Sequence, residues 1–266
     1  MIPLAANKLP SSRDELARAI DQALRRYVNK SGPMVEVRSR VFPYLDQITI
    51  NLDGARFDAA PPAPTPLAGE NKPAFEAALI KLSAQNITLR GVPANVQIHA
   101  HDVVLQKTDD ANGQAVLSPQ KVRDGHLTIA VAQMDLEQAL ANFIDREALP
   151  HGINIEQVRL AVRERGRRSL AAEVRVQARK LFLRAKIDIY ARLDIDDVFV
   201  ARLSQLRCKS RGAVGTRACS ILQPHLDRFE GKGFSLKSLP LGGSELRDLR
   251  LAVTDTVEIN LDFGSA

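Results

Sequence analysis

His99 and His101 stand two residues apart, so on a strand both imidazoles point to one side, with Asp102 beside them. Two rings so placed can share a metal ion, yet no further Cys or His at ligand spacing completes a tetrahedral set, and no metal is expected there. Cys208, Cys219 and His225 lie close in sequence. A thiol nucleophile needs a positioned base and a group that orients it, and spacing alone supplies neither. Two cysteines also make no disulfide framework. The pair is therefore expected to be inert thiols, free in a reducing cytoplasm, with an opportunistic disulfide as the other reading. The chain has no Gly-x-Ser-x-Gly elbow, no Gly-x-x-x-x-Gly-Lys-Ser/Thr loop, no His-Glu-x-x-His and no Gly-x-Gly-x-x-Gly before a helix. Nothing argues for catalysis, and the expectation is a protein that is not an enzyme and carries no cofactor.

One segment has the residues of an anion site. Arg211-Gly212-Ala213-Val214-Gly215-Thr216-Arg217 places two glycines, a hydroxyl able to cap and two arginines where a helix begins. Free N–H groups and the positive helix end favour a phosphate there. The other reading is that the glycines only turn the chain into the helix.

A larger basic feature lies upstream. Between Glu156 and Arg192, eleven basic residues face four acids, so this stretch carries +7 of a chain total of +6 and the remainder carries −1. Arg175, Arg179, Arg184 and Lys186 lie at its centre. Such a face implies an anionic partner, either phospholipid headgroups or nucleic acid, unless it is simply a solvated strand surface.

The charges sit on strands that alternation makes visible. Leu170, Ala172, Val174, Val176 and Ala178 share one parity; Leu183, Ala185, Ile187, Ile189, Ala191, Leu193 and Ile195 share the other. The parity changes around Lys180 to Phe182, as one extra residue in a β-bulge would cause. This reads as one long, bent strand, whose second run alone spans about 40 Å. Its apolar side, Leu183 to Leu193, is expected to line a lipid cavity with Leu16, Ile20, Leu136 and Leu140 of two amphipathic helices. Aromatics are only 5% with no Trp, which leaves small aliphatic side chains as a smooth lining suited to acyl chains.

The remaining elements frame these. Ser12 and Glu15 make a capping-box signal, and Leu16, Ala19, Ile20, Ala23, Leu24, Tyr27 and Val28 follow at helical spacing. Strands are expected at 34–40 and 47–57, and a flexible Pro-rich surface loop at 59–73. Alternation resumes at 78–89, 95–107 and 125–131, before a helix at 134–147. A strand at 155–165, one at 199–207, a helix at 216–229 and strands at 246–253 and 256–263 complete the chain. At 266 residues it is read as a single domain, 1–266, of α+β class. No run of 18 apolar residues exists and no secretory signal is visible. A cytoplasmic protein, peripheral at the inner face of a membrane, is expected.

The amphipathic helix, the alternating strands, the Asp135-Leu136-x-x-x-Leu140 helix and the further strands resemble the LmeA-type bacterial phospholipid-binding family, from about Ser12 to Phe263. That family resembles the tubular lipid-binding superfamily. The resemblance implies a long, highly curved antiparallel sheet wrapped around amphipathic helices, holding acyl chains without catalysing a reaction. It transfers no fixed ligand residues. Two other readings stay open: a nucleic-acid module, which would want more aromatics than Phe182 and Tyr190 beside its arginines, and a structural or adaptor protein.

Overall fold

The structure, a computed structural model, describes residues 2–5, 8–57, 67–89, 91–110, 113, 115–180, 183–238 and 244–265. Of the described residues, 62% lie in strands and 19% in helices, so they are β-dominated, with sheets that are antiparallel or mixed and not closed. From the N-terminus run β1 (Ile2–Pro3), α1 (Arg13–Leu24), β2 (Val28–Asn29), β3 (Val35–Arg38), β4 (Tyr44–Leu45), β5 (Gln47–Asn51) and β6 (Arg56–Phe57). Three long strands follow, β7 (Leu67–Leu89), β8 (Val92–Asp110) and β9 (Ala115–Ala132). After α2 (Gln133–Ala148) come β10 (Asn154–Gly166), β11 (Ser169–Lys180), β12 (Leu183–Ile195) and β13 (Val200–Arg211). Then α3 (Ala213–Asp227), β14 (Gly233–Ser235), β15 (Glu245–Val253) and β16 (Thr256–Gly264) close the chain.

The chain divides into two compact units. The first is Met1–Ile129 with Leu239–Asp248 and Asn260–Ala266; the second is Ala130–Ser238 with Leu249–Ile259. The nine-stranded sheet has the order β15-β16-β9-β8-β7-β5-β3, with β1 on β9 and β4 on β7. It is mixed, because β4 and β5 run parallel to β7.

In the first unit, α1 starts where the capping signal placed it. Ser12 accepts a hydrogen bond from the Glu15 N–H at 3.3 Å, and the Glu15 carboxylate accepts from the Ser11 N–H and hydroxyl at 2.8 Å each. Leu16, Ala19, Ile20 and Ala23 are the buried stripe, at the spacing one helix face requires. The helix stops earlier than expected. Arg25 closes it, the Tyr27 N–H returns to the Leu24 carbonyl, and Val28 already pairs with Phe57 as strand. The expected strand at 47–57 is two strands, β5 and β6, separated by a turn through Gly54 at φ +68°. Of the expected Pro-rich loop, 59–66 lie outside the described residues. Residues 67–73 belong to β7 instead, with Lys72 opposite Lys107 and Pro73 opposite Gln106.

The second unit is built on the five-stranded antiparallel sheet β10-β11-β12-β13-β14. Here the expected single long strand is corrected. Residues 169–195 form a hairpin: Ser169 pairs with Asp194, Val176 with Ile187 and Lys180 with Leu183. Only positions 181 and 182 separate the two strands, and they lie outside the described residues. A two-residue connection pairs each even position of β11 with an odd position of β12, so it exchanges parity as a bulge would.

Val158, Val176 and Ile187 form one row across β10, β11 and β12. They pack with Cys219 of α3, and Leu140, Ala141 and Ile144 of α2 pack against the same cluster. Both helices therefore cover one face of the sheet, where small side chains let them approach. Gly215 shows how close: a Cβ there would lie 2.8 Å from the Ser210 Cβ. Among the described residues no helix is long and apolar enough to cross a membrane.

Candidate functional site

Side chains alternate along a strand, so the face opposite the helices collects the polar partners of each strand in the second unit. The cross-strand registers assign Arg159 and Arg163 of β10, Arg175 and Arg179 of β11 and Arg184, Lys186 and Arg192 of β12 to that face. They add Arg202, Arg207, Lys209 and Arg211 of β13. Eleven cations on one face of one sheet are opposed by Glu173, Asp188 and Asp194, with Glu156 at the bulge beside Ile155. The face is open to solvent, Arg175 being 64% and Arg184 77% exposed.

Its ion pairs are local. Arg175 meets Glu173 at 2.7 Å, and that hydrogen-bonded carboxylate raises the guanidinium above the usual arginine value. Arg179 and Arg184 share Glu156 at 3.5 and 3.7 Å. Arg159 reaches Glu137 at 3.3 Å and Arg192 reaches Asp194 at 2.9 Å. Arg163, Lys186, Arg207 and Arg211 make no ion pair with a described carboxylate, and the Lys209 ammonium lies 5.5 Å over the Tyr190 ring. Exposed pairs of this kind contribute little to stability. What the arrangement can do is present an array of charge-assisted donors to an anionic surface.

Arg202, Arg207 and Lys209 were outside the sequence window because only the β12–β13 register turns them to this side. The signal available was their own alternation, Arg207, Lys209 and Arg211, continuing past the expected strand end.

The segment 211–217 divides between the two faces. Arg211 is exposed on the basic face, whereas α3 begins at Ala213 and turns toward the apolar one. Gly212 is the N-cap, at φ +85° with no side-chain cap. The expected cap by Thr216 is not formed. Its hydroxyl donates to the Gly212 carbonyl at 3.1 Å, one turn back, because the helix has already started. Gly215 is buried against Ser210, so its missing side chain serves helix packing; Arg217 is exposed.

The expected lipid-lining residues separate by unit. Leu16 and Ile20 are fully buried on α1 of the first unit. In the second, Ala185 and Ile187 are buried, Ile189, Ala191 and Leu193 are half-buried on the same sheet face, and Leu136 and Leu140 are half-buried on α2. The Leu183 side chain lies outside what is described. Farther along this apolar face, Leu203 is 36% and Phe234 58% exposed.

The thiol expectation is overturned. Cys208 and Cys219 form a disulfide, Cα–Cα 5.4 Å, that ties α3 to β13 across the apolar face. One lies on a strand and the other on a helix packed against it, a proximity that sequence spacing does not reveal.

In the first unit, His99 and His101 border an open depression of about 410 Å³ with Asp124, His126, Arg247 and Asp262. No group of three or more ligand-type side chains is poised for a metal among the described residues. His126 instead bridges Asp262 at 2.6 Å and Thr128 at 3.1 Å, a polar ladder between β9 and β16. Arg123 hydrogen-bonds the Asp124 carboxyl and holds it below the usual carboxylate range. No known protein family, curated protein or solved structure matches the chain.

Proposed function

We propose that the protein is a non-catalytic lipid-binding protein that docks on anionic membrane surfaces through the basic face of its five-stranded sheet and holds phospholipid or another acyl lipid against apolar sheet and helix surfaces. The observation that carries this reading is the eleven-cation face, open to solvent and opposite a face of small aliphatic side chains that its two helices leave partly uncovered. Burial contributes about 0.8 kcal/mol per CH₂, so an acyl chain against Ala191, Leu193 and Leu203 supplies affinity without polar anchors. Juxtamembrane cations contribute about 1 kcal/mol each near an anionic surface. The finer architecture that belongs with this reading is the tubular lipid-binding one, a curved sheet wrapped around helices. Strands of 23, 19 and 18 residues in β7, β8 and β9 are long enough for it. The disulfide favours an oxidising compartment over the cytoplasm as the place of docking.

The test has two arms. Native mass spectrometry of protein purified from cells, followed by organic extraction, is expected to recover an acyl lipid. Sedimentation with anionic vesicles is expected for the wild type and abolished when Arg175, Arg179, Arg184 and Lys186 are reversed to Glu. Equal binding to neutral and anionic vesicles, or protein free of lipid, defeats the reading. Tight, salt-sensitive RNA binding without vesicle binding would replace it with the nucleic-acid reading, which Tyr190 under Lys209 at the centre of the face favours.

A further inference from the structure

Three pairs of like charge stand directly opposite one another on the basic face: Arg159 with Arg175, Arg179 with Arg184, and Lys186 with Arg211. Directly opposed side chains on a sheet have Cβ atoms about 4.5–5.5 Å apart, and like charges there repel. The first pair is compensated charge for charge, and the second shares one carboxylate. Glu137 meets Arg159, Glu173 meets Arg175, and Glu156 lies between Arg179 and Arg184. The third has no carboxylate among the described residues. Its neighbour in the same row is the neutral Gln177, engaged with Gln157 at 2.9 Å. The rows on either side bring Arg184 and Lys209, and Asp188, the acid opposite Lys209, leans to Arg175 at 4.0 Å.

We infer that Lys186 and Arg211 form a headgroup site selective for a phosphate monoester, the exposed dianionic phosphate of a phosphatidic-acid-type lipid. This rests on the membrane-docking reading above. The pair carries two uncompensated positive charges, and a phosphate monoester carries about −1.5 to −2 at pH 7, with a second pKa near 6 and three acceptor oxygens. A phosphodiester headgroup offers one charge and two such oxygens, and leaves one of the two positive charges uncompensated. Arg211 supplies a planar fork for two oxygens, and Lys186 a point charge for the third.

Vesicles containing phosphatidic acid are compared with vesicles containing phosphatidylglycerol, adjusted to equal surface potential. The wild type is expected to prefer phosphatidic acid by about tenfold, the effect of one charge-assisted hydrogen bond. That preference should fade between pH 7 and pH 5 as the monoester gains its second proton. K186Q with R211Q should bind both vesicles alike and melt no lower than wild type, because repulsion has been removed. R159Q with R175Q, which removes the same charge from a compensated pair, should weaken both lipids equally and keep the preference. Absence of binding to either vesicle defeats the docking reading itself. Equal binding of the wild type at matched potential, a pH-independent preference, or a preference that survives K186Q with R211Q overturns this inference and leaves docking intact.

Discussion

Asp196, at the turn between β12 and β13, shows how much local structure one carboxylate can hold. It accepts from the Val198 and Val200 N–H groups at 3.1 and 2.8 Å and from Arg202 at 2.5 Å. The Val200 N–H first, then Arg202, hold its carboxyl below the usual range. A depressed native pKa means that its contribution is fully present above the ordinary aspartate value, about 3.9, and is lost as pH falls through the lower native value. Asp196→Asn should therefore flatten the acid end of the stability profile below about pH 4, read from denaturant midpoints at pH 3 and pH 6. An unchanged profile would mean that the turn does not depend on the charge. At Gly215 two effects oppose each other. Alanine gains up to about 1 kcal/mol in a helix interior over glycine, but its Cβ would lie 2.8 Å from that of Ser210. Overpacking of this kind costs about 1–3 kcal/mol. Gly215→Ala is expected to lower the melting temperature, where an open glycine in a helix would raise it.

At the scale of elements, alternation in 170–195 revealed which residues share a face but concealed the turn. A bulge of one residue and a hairpin loop of two both exchange parity, and Leu181-Phe182 lacks the Gly, Asn or Asp that marks a tight turn. Hence the apolar and basic faces were legible, including Arg175, Arg179, Arg184 and Lys186, while the strand count was not. α1 was legible at its start, where Ser12 and Glu15 act locally, and misread at its end, where Val28 is recruited by Phe57 from 29 residues away. The disulfide was illegible for the same reason: it depends on α3 folding back over β13. Closing so short a loop contributes about 2–4 kcal/mol by limiting the unfolded chain. Replacing Cys208 and Cys219 by Ala should lower stability by that amount. It should also speed amide exchange in α3 ahead of β11 and β12, whose hydrogen bonds do not depend on the crosslink. Uniform acceleration throughout the second unit would show that α3 and the sheet open together.

For the whole molecule, the decisive quantity is where charge lies rather than how much there is. The chain totals +6, while the Glu156–Arg192 stretch alone carries +7 and the rest −1. Reversing Arg175, Arg179, Arg184 and Lys186 to Glu changes the charge by two at each position and takes +6 to −2. Reversing Lys8, Arg40, Arg56 and Lys121, all exposed in the first unit, gives the same −2 and leaves the basic face untouched. Fields from exposed charges decay over about 10 Å at 0.1 M salt. A docked face is therefore felt by the membrane at physiological salt. The first variant is expected to lose sedimentation with anionic vesicles, the second to keep it within about threefold, and the wild type to weaken steeply between about 0.05 and 0.5 M salt. If both variants lose binding equally, attraction follows net charge, and the basic face is only part of a cationic surface without a defined docking side.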